Sequence, residues 1–121
     1  MATIVTATVA VEFIAALVLI VQPAIFAKLI FGMQSDDAVR MMGRCYGVAL
    51  LALVIAWWPD RTAPANQGFF FRGRLVYNAL IALYLVYLAT VVQTSGALLW
   101  PAVILHASIT LLIVVTWRRQ G

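Results

Sequence analysis

Four apolar segments, each about as long as a bilayer-spanning helix, constrain this chain more than any other feature. They cover residues 3–22, 37–58, 69–93 and 97–117, and short polar breaks separate them. The hydrocarbon core of a bilayer is about 30 Å thick and takes roughly 20 helical residues to cross. In lipid the backbone must satisfy its own hydrogen bonds, so each segment is expected to be a helix. The pattern predicts an all-α, four-transmembrane-helix bundle that forms one membrane domain over residues 1–121.

The composition excludes a water-soluble globule. Hydrophobic residues make up 65% of the chain and charged residues 10%, and the mean hydropathy is +1.05. Soluble domains usually hold about 25% charged residues. The net charge of +4 is scattered over helix ends, without the basic stripe that nucleic-acid binding needs. We therefore expect membrane lipids, and not nucleic acid, around this protein.

Local signals mark where the segments end. Pro23 bends or interrupts the first helix, and residues 24–31 then add a turn or two or form a short interfacial helix that ends at Gly32. The stretch RTAPANQG at 61–68 is the most loop-like part of the chain. The residues that can cap the start of the second helix are Ser35, Asp36 and Asp37.

Tryptophans and basic residues indicate an orientation. Tryptophan rings prefer the headgroup level of a bilayer, and all four fall at predicted helix ends: Trp57, Trp58, Trp100 and Trp117. The side with both termini and the second break carries five arginines: Arg61, Arg72, Arg74, Arg118 and Arg119. The other side carries Lys28, Arg40 and Arg44. Because cytoplasmic loops hold an excess of positive charge, we expect both termini in the cytoplasm.

One polar residue in each segment falls near the middle of the membrane. Glu12, Asn78 and His106 each lie about nine residues from a helix end, which is roughly 14 Å deep at 1.5 Å per residue. Arg44 lies about seven residues into its helix, and its long side chain can reach the same layer. The positions one turn away are small or polar, so these faces are expected to point into the bundle.

The charge on Arg44 leaves three alternatives open. A lone charge in mid-bilayer costs at least about 2.5–3.5 kcal/mol, so Arg44 is tolerated if it faces inward and pairs with Glu12. That pair would hold the helices in register or belong to a site for a ligand, proton or ion. In the third alternative the pair does not form, and Arg44 reaches the outer surface.

His106 and the small and aromatic residues carry further candidates. His106 is a structural hydrogen-bond partner, a titrating or ligand-contacting group, or a metal or tetrapyrrole ligand; no second His or Cys lies at ligand spacing, so no metal site is expected. Gly43 and Gly47 form a G-x-x-x-G pattern that favours close helix packing. Three tyrosines near one face of the third segment pack in the core or against lipid, or wall a flat apolar ligand: Tyr77, Tyr84 and Tyr87.

Three motifs resemble the DoxX-like group of small four-helix bacterial membrane proteins. They are P-x-x-F-x-x-L-x-F-G at 23–32, R-x-x-G-R-x-Y-G at 40–47 and L-H-A at 105–107. The resemblance implies a left-handed four-helix bundle in the bacterial inner membrane and attaches importance to Arg44, Tyr46 and Gly47. The named member of that group is a small subunit of a membrane quinone-linked oxidoreductase.

Two weaker resemblances point to other functions. Chain length, helix number and a lone glutamate midway along the first helix, Glu12, are similar to small multidrug resistance transporters, in which that carboxylate exchanges protons for cationic drugs. The chain lacks that family's Gly/aromatic pattern in the second helix. The stretch AVILHASIT around His106 resembles the histidine-bearing span of light-harvesting polypeptides.

We predict a non-catalytic accessory subunit or a bundle that binds a lipid-like or quinone-like molecule. No catalytic motif of the phosphate-loop, H-E-x-x-H or G-x-S-x-G type is present. Quinone carbonyls would take hydrogen bonds from Arg44, His106 and Asn78. The candidate binding or proton-relay residues are Glu12, Arg44, Tyr46, Tyr77, Asn78, Tyr84 and His106. The alternatives are a proton-coupled transporter that uses Glu12 and a pigment or electron-transfer subunit with His106 as ligand. We expect a homo-oligomer or a larger membrane complex.

Overall fold

A computed structural model describes residues 2–58 and 68–120, and within these ranges helices are joined by short connections and no strand is present. The chain order is α1 (Ala2–Val21), α2 (Pro23–Phe26), α3 (Asp37–Ala56), α4 (Gly68–Tyr87) and α5 (Leu99–Gln120). Wider π-helical turns extend α2 through Ala27–Phe31 and α4 through Leu88–Val92. The predicted all-α class is confirmed. Residues 61–67 of the loop predicted at 61–68 lie outside the described ranges, and its last residue, Gly68, begins α4.

Three of these helical stretches are long and apolar enough to cross a membrane: Asp37–Ala56, Phe71–Val92 and Leu99–Arg119. A fourth span exists if Val5–Val21 and Pro23–Phe31, which are bent by 118° at their junction, count as one. The described part of the chain therefore offers three candidate spans, or four with the bent pair.

The bend between α1 and α2 arises at Gln22. This residue has φ −139° and ψ 68°, outside the helical region, and Pro23 then begins α2 at a position where a missing N–H costs nothing. The angle of 118° excludes a simple extension of α1. Residues 23–31, called the folded-back segment below, turn across the end of the bundle.

The ends of the folded-back segment follow the sequence signals. Gly32 has φ 66°, a left-handed conformation that glycine adopts without steric cost, so the predicted end at Gly32 is confirmed. Of the three candidate caps, Asp36 is the one that caps α3, and its carboxylate accepts a hydrogen bond of 2.9 Å from the Val39 N–H. Both ends of the 32–36 connection are therefore set by local chemistry.

The long helices pack as two antiparallel pairs, α1 with α3 and α4 with α5. Gly43 and Gly47 lie at the α1–α3 contact: a Cβ at Gly43 would come within 2.9 Å of the Pro23 Cβ, and one at Gly47 within 2.8 Å of the Leu19 Cβ. Absent side chains let the two backbones approach closely. The G-x-x-x-G pattern therefore serves packing inside the chain.

The folded-back segment is joined to the second pair by backbone contacts. The Leu98 N–H donates a 2.7 Å hydrogen bond to the Leu29 carbonyl, and a Cβ at Gly96 would collide with the Ile30 carbonyl. Next to this contact the segment also contributes to an apolar core cluster, which consists of Ile30, Leu85, Leu88, Leu99 and Val103. The segment thus connects the α1–α3 pair to the α4–α5 pair at one end of the molecule.

The four tryptophans differ in their exposure. Trp57 is buried and packs against Val9 and Val54, whereas Trp58, Trp100 and Trp117 are exposed. The backbone leaves the helix at Trp57, where α3 ends, and its indole faces α1 and α4. It acts as a core residue.

We predict that Gly47→Ala destabilises the fold by about 1–3 kcal/mol because the added methyl overpacks the contact with Leu19 and Ala16. Gly73→Ala is the matched control, since its Cβ would meet only the Trp57 indole nitrogen, at an ordinary 3.9 Å. Thermal unfolding of both variants in the same detergent is the measurement. Equal melting temperatures for the two variants would contradict the prediction.

Candidate functional site

A cavity of about 520 Å³ lies between the two helical pairs. Its size falls within the range of small-molecule sites, about 300–1,000 Å³. The folded-back segment covers one end through Phe26, Ile30 and Phe31. Ala15 and Leu50 belong to the wall formed by the first pair, and the wall formed by the second includes Ile81, Leu85, Pro101 and Ala102. The surface is therefore almost entirely apolar, with a small polar group of side chains.

That polar group centres on Glu12. The side chain of Glu12 is only 3% exposed and lines the cavity. The Tyr77 hydroxyl donates a hydrogen bond of 3.2 Å to Glu12 Oε2 and lies 2.9 Å from the Tyr46 hydroxyl. Because the single Tyr77 proton points to the carboxylate, the Tyr46 hydroxyl is the donor in the second bond. A chain of hydrogen bonds therefore runs from α3 through α4 to α1.

A second chain joins α4 to α5. The Asn78 amide nitrogen donates a 2.9 Å hydrogen bond to the Arg74 carbonyl, and the Asn78 Oδ1 lies 2.8 Å from His106 Nδ1. Asn78 is completely buried. The Thr110 hydroxyl in turn donates to the His106 carbonyl at 2.8 Å. The contact with Asn78 holds the imidazole at the cavity wall.

The two series of hydrogen bonds, one through Tyr77 and one through Asn78, lie side by side without a hydrogen bond between them. His106 Nδ1 lies 3.7 Å from Glu12 Oε1, which is beyond hydrogen-bonding distance, and the Tyr77 and His106 rings make an edge contact at 6.2 Å. Glu12 Oε1 is buried and has no hydrogen-bond partner in the described structure. A buried oxygen without a partner is costly and calls for an explanation.

Arg44 lies apart from this cluster. The predicted layer of four polar residues is therefore only partly assembled: Glu12, Asn78 and His106 lie together, while Arg44 is on the exposed face of α3. The expected Glu12–Arg44 pair does not form, because Gly43 and Gly47 occupy the face of α3 that packs on α1. The third alternative, in which Arg44 points outward, is the one that the fold supports.

The tyrosine candidates divide into two groups. Tyr46 and Tyr77 reach Glu12, as described above, and also line the cavity. Tyr84 lines the exposed rim, and its ring stacks on Tyr87 at 6.3 Å between centroids. In the sequence only the family resemblance points to Tyr46, and its contact with Tyr77 becomes visible only once α3 and α4 lie side by side.

Arg74 makes contacts that no sequence pattern predicts. Its guanidinium donates to the Trp57 carbonyl at 2.9 Å and lies 5.7 Å from the centroid of the Trp57 ring, a cation–π distance. The sequence places Arg74 among the residues that set the orientation and on the polar stripe one turn before Asn78, but it does not predict the contact with Trp57. It is buried and supports the Asn78–His106 bond through its backbone carbonyl.

A smaller cavity of about 290 Å³ lies between α1 and α5. Thr3, Ala7, Ser108 and Leu112 belong to its walls, and it shares Val11 and Leu105 with the main cavity. The α1–α5 contact is sparse, so the two spaces adjoin. Within the described residues no cluster of three His, Cys, Asp or Glu side chains could hold a metal ion.

The chain matches no protein-family model, no curated protein and no solved structure.

We predict that Tyr77→Phe destabilises the protein by about 1–3 kcal/mol, because Glu12 then loses its hydrogen bond inside an apolar core. Tyr84→Phe, which removes a hydroxyl at the exposed rim, is the control and should leave the melting temperature within error. Unfolding curves in detergent provide the comparison, and a stable Tyr77→Phe protein would show that the carboxylate does not need this bond.

Proposed function

We propose that this chain is a small integral membrane protein of four spans, counting the bent first pair as one, that binds a lipid-like or quinone-like molecule in the cavity between its helical pairs. In this role it acts as a non-catalytic binding protein or as the accessory subunit of a larger membrane complex. The motif resemblance to the DoxX-like group agrees with the proposal. It also suggests the bacterial inner membrane as the location.

The observation that carries the proposal is Glu12 Oε1. An acceptor with no partner, buried in the wall of an apolar cavity, is what a bound molecule with one polar end would satisfy. Ionisable residues within membrane spans usually mark functional sites because burying them is expensive. The adjoining α1–α5 space offers room for an apolar chain that extends past Val11 and Leu105.

A proton-coupled transporter is the second candidate. Arg44, which the sequence analysis placed beside Glu12, is exposed, so no described arginine neutralises the carboxylate. A Glu12 carboxylate free of such a pair is available for proton exchange.

Native mass spectrometry of protein gently extracted from its own membranes tests the proposal. We expect a retained lipid, quinone-like molecule or partner subunit, because the cavity adjoins the membrane and is lined by apolar groups. A bare homo-oligomer with nothing bound would contradict the binding role. It would favour the transporter, for which proton uptake with and without Glu12→Gln is then the test.

We predict that Ala102→Phe removes ligand binding while the fold is retained, because a phenyl ring from this wall position fills the cavity. Ala107→Phe is the matched control, since Ala107 lies on the exposed face of the same helix. Retained ligand is measured by mass spectrometry in both variants, and circular dichroism checks the helix content. Equal ligand retention in the two variants would place the site elsewhere.

We predict that both termini face the cytoplasm, because the side that holds them carries five of the eight basic residues. Green fluorescent protein fused after the last residue should fluoresce, and alkaline phosphatase at the same place should be inactive. The same reporters inserted in the 32–36 connection serve as the opposite-side control. Active phosphatase at the C-terminus would reverse the orientation.

A further inference from the structure

At the polar end of the main cavity, the side-chain hydrogen-bond donors already bond to other groups of the protein. The Tyr46 hydroxyl donates to Tyr77, and the Tyr77 hydroxyl donates to Glu12 Oε2. Asn78 is completely buried, and its amide nitrogen donates to the Arg74 carbonyl. Arg44, a donor invoked in the sequence analysis, lies on the exposed face of α3. A ligand that reaches Glu12 therefore finds none of these donors free.

The same bonds assign the proton on His106. The Arg74 carbonyl can only accept, so the Asn78 atom facing it is the amide nitrogen, and the atom facing His106 is the carbonyl oxygen. An oxygen acceptor at 2.8 Å requires the proton on His106 Nδ1. A neutral imidazole of this tautomer keeps a lone pair, and not a proton, on Nε2. The histidine thus contributes no free donor to the cavity in that form.

What remains at the polar end is an acceptor, Glu12 Oε1, which is buried and unpartnered. A carbonyl ligand, such as a quinone oxygen, has no hydrogen to give to it. A ligand with an O–H group satisfies it directly. Tyr84 also carries a hydroxyl, but it follows Tyr77 by seven residues along α4, which is a rise of about 10 Å. Its side chain lies at the exposed rim of the cavity.

We propose that the ligand of this cavity is an apolar molecule whose polar end is a hydroxyl group that donates to Glu12 Oε1. This inference rests on the proposed binding function and narrows its ligand class to alcohols and phenols. A neutral hydroxyl is favoured over an ammonium group because the cavity wall is almost entirely apolar, and a hydroxyl loses far less hydration free energy on entering such a space.

The test uses a matched pair of probes, 4-hexylphenol and its methyl ether, which differ in the donor hydrogen and one methyl group. Binding to the protein in lipid nanodiscs is measured by equilibrium dialysis, with empty nanodiscs subtracted. We expect the phenol to bind about tenfold more tightly, the effect of one hydrogen bond. Hexylamine and hexanol form a second pair, in which the alcohol should bind more tightly.

Two variants assign the preference to Glu12. In Glu12→Gln the Tyr77 hydroxyl is expected to stay on the amide oxygen, which turns an amide N–H₂ donor toward the cavity. The preference for phenol over ether should then fall to about onefold or reverse. Tyr87→Phe, which removes a hydroxyl from an exposed tyrosine outside the cavity lining, is the control and should keep the wild-type ratio. If Glu12→Gln fails to fold, the wild-type ratio between phenol and ether still decides.

The outcomes separate the inference from the proposed function. Phenol and ether binding equally, or the ether binding more tightly, would overturn the hydroxyl assignment and leave ligand binding intact. Tighter binding of the ether, whose oxygen can only accept, would require a proton on Glu12 Oε1. Tighter binding of hexylamine than of hexanol would replace the hydroxyl by a cation. If none of the probes binds and no ligand is found by mass spectrometry, the binding function itself fails.

Discussion

The side chain of Tyr77 is the point at which the two helical pairs meet. It donates to Glu12, accepts from Tyr46 and makes edge contacts with the rings of Trp57 and His106. Within each pair the helices pack along their length, whereas contacts between the pairs are few. The distance between the pairs, and with it the width of the cavity, therefore depends on a residue that is aromatic at its sides and polar at its tip.

The folded-back segment has the complementary role at the other end. Without the bend at Gln22, the residues that cover the cavity would continue along α1 and leave its end open. The bend places Phe26 against both pairs and Ile30 against the α4–α5 pair, and the close approach at Gly96 holds the segment against the connection before α5. The hydrogen bonds of Tyr77 in the middle and the backbone contact at the end together leave an apolar space that is covered at one end and open at its rim.

The chemistry of the site follows from hydrogen-bond accounting more than from residue types. Glu12, Asn78 and His106 were selected from the sequence because each is polar and deep in an apolar segment, and the fold brings them together. Their roles differ from those expected, since Asn78 and His106 satisfy each other and their neighbours and do not offer donors to a quinone. A polar residue in an apolar helix shows that a partner is needed, and the packing determines which partner it finds.

The sequence by itself determined the helical class, the approximate helix bounds, a cap among Ser35, Asp36 and Asp37, and the helix end at Gly32, because these depend on local hydrophobicity, side-chain chemistry and backbone preference. Only the tertiary structure decided that Arg44 is exposed and that Tyr77 contacts Glu12. These facts depend on how each helix is rotated and which helices are neighbours. Rotation and neighbour choice are set by contacts between distant parts of the chain, such as Gly47 against Leu19, and no local pattern encodes them.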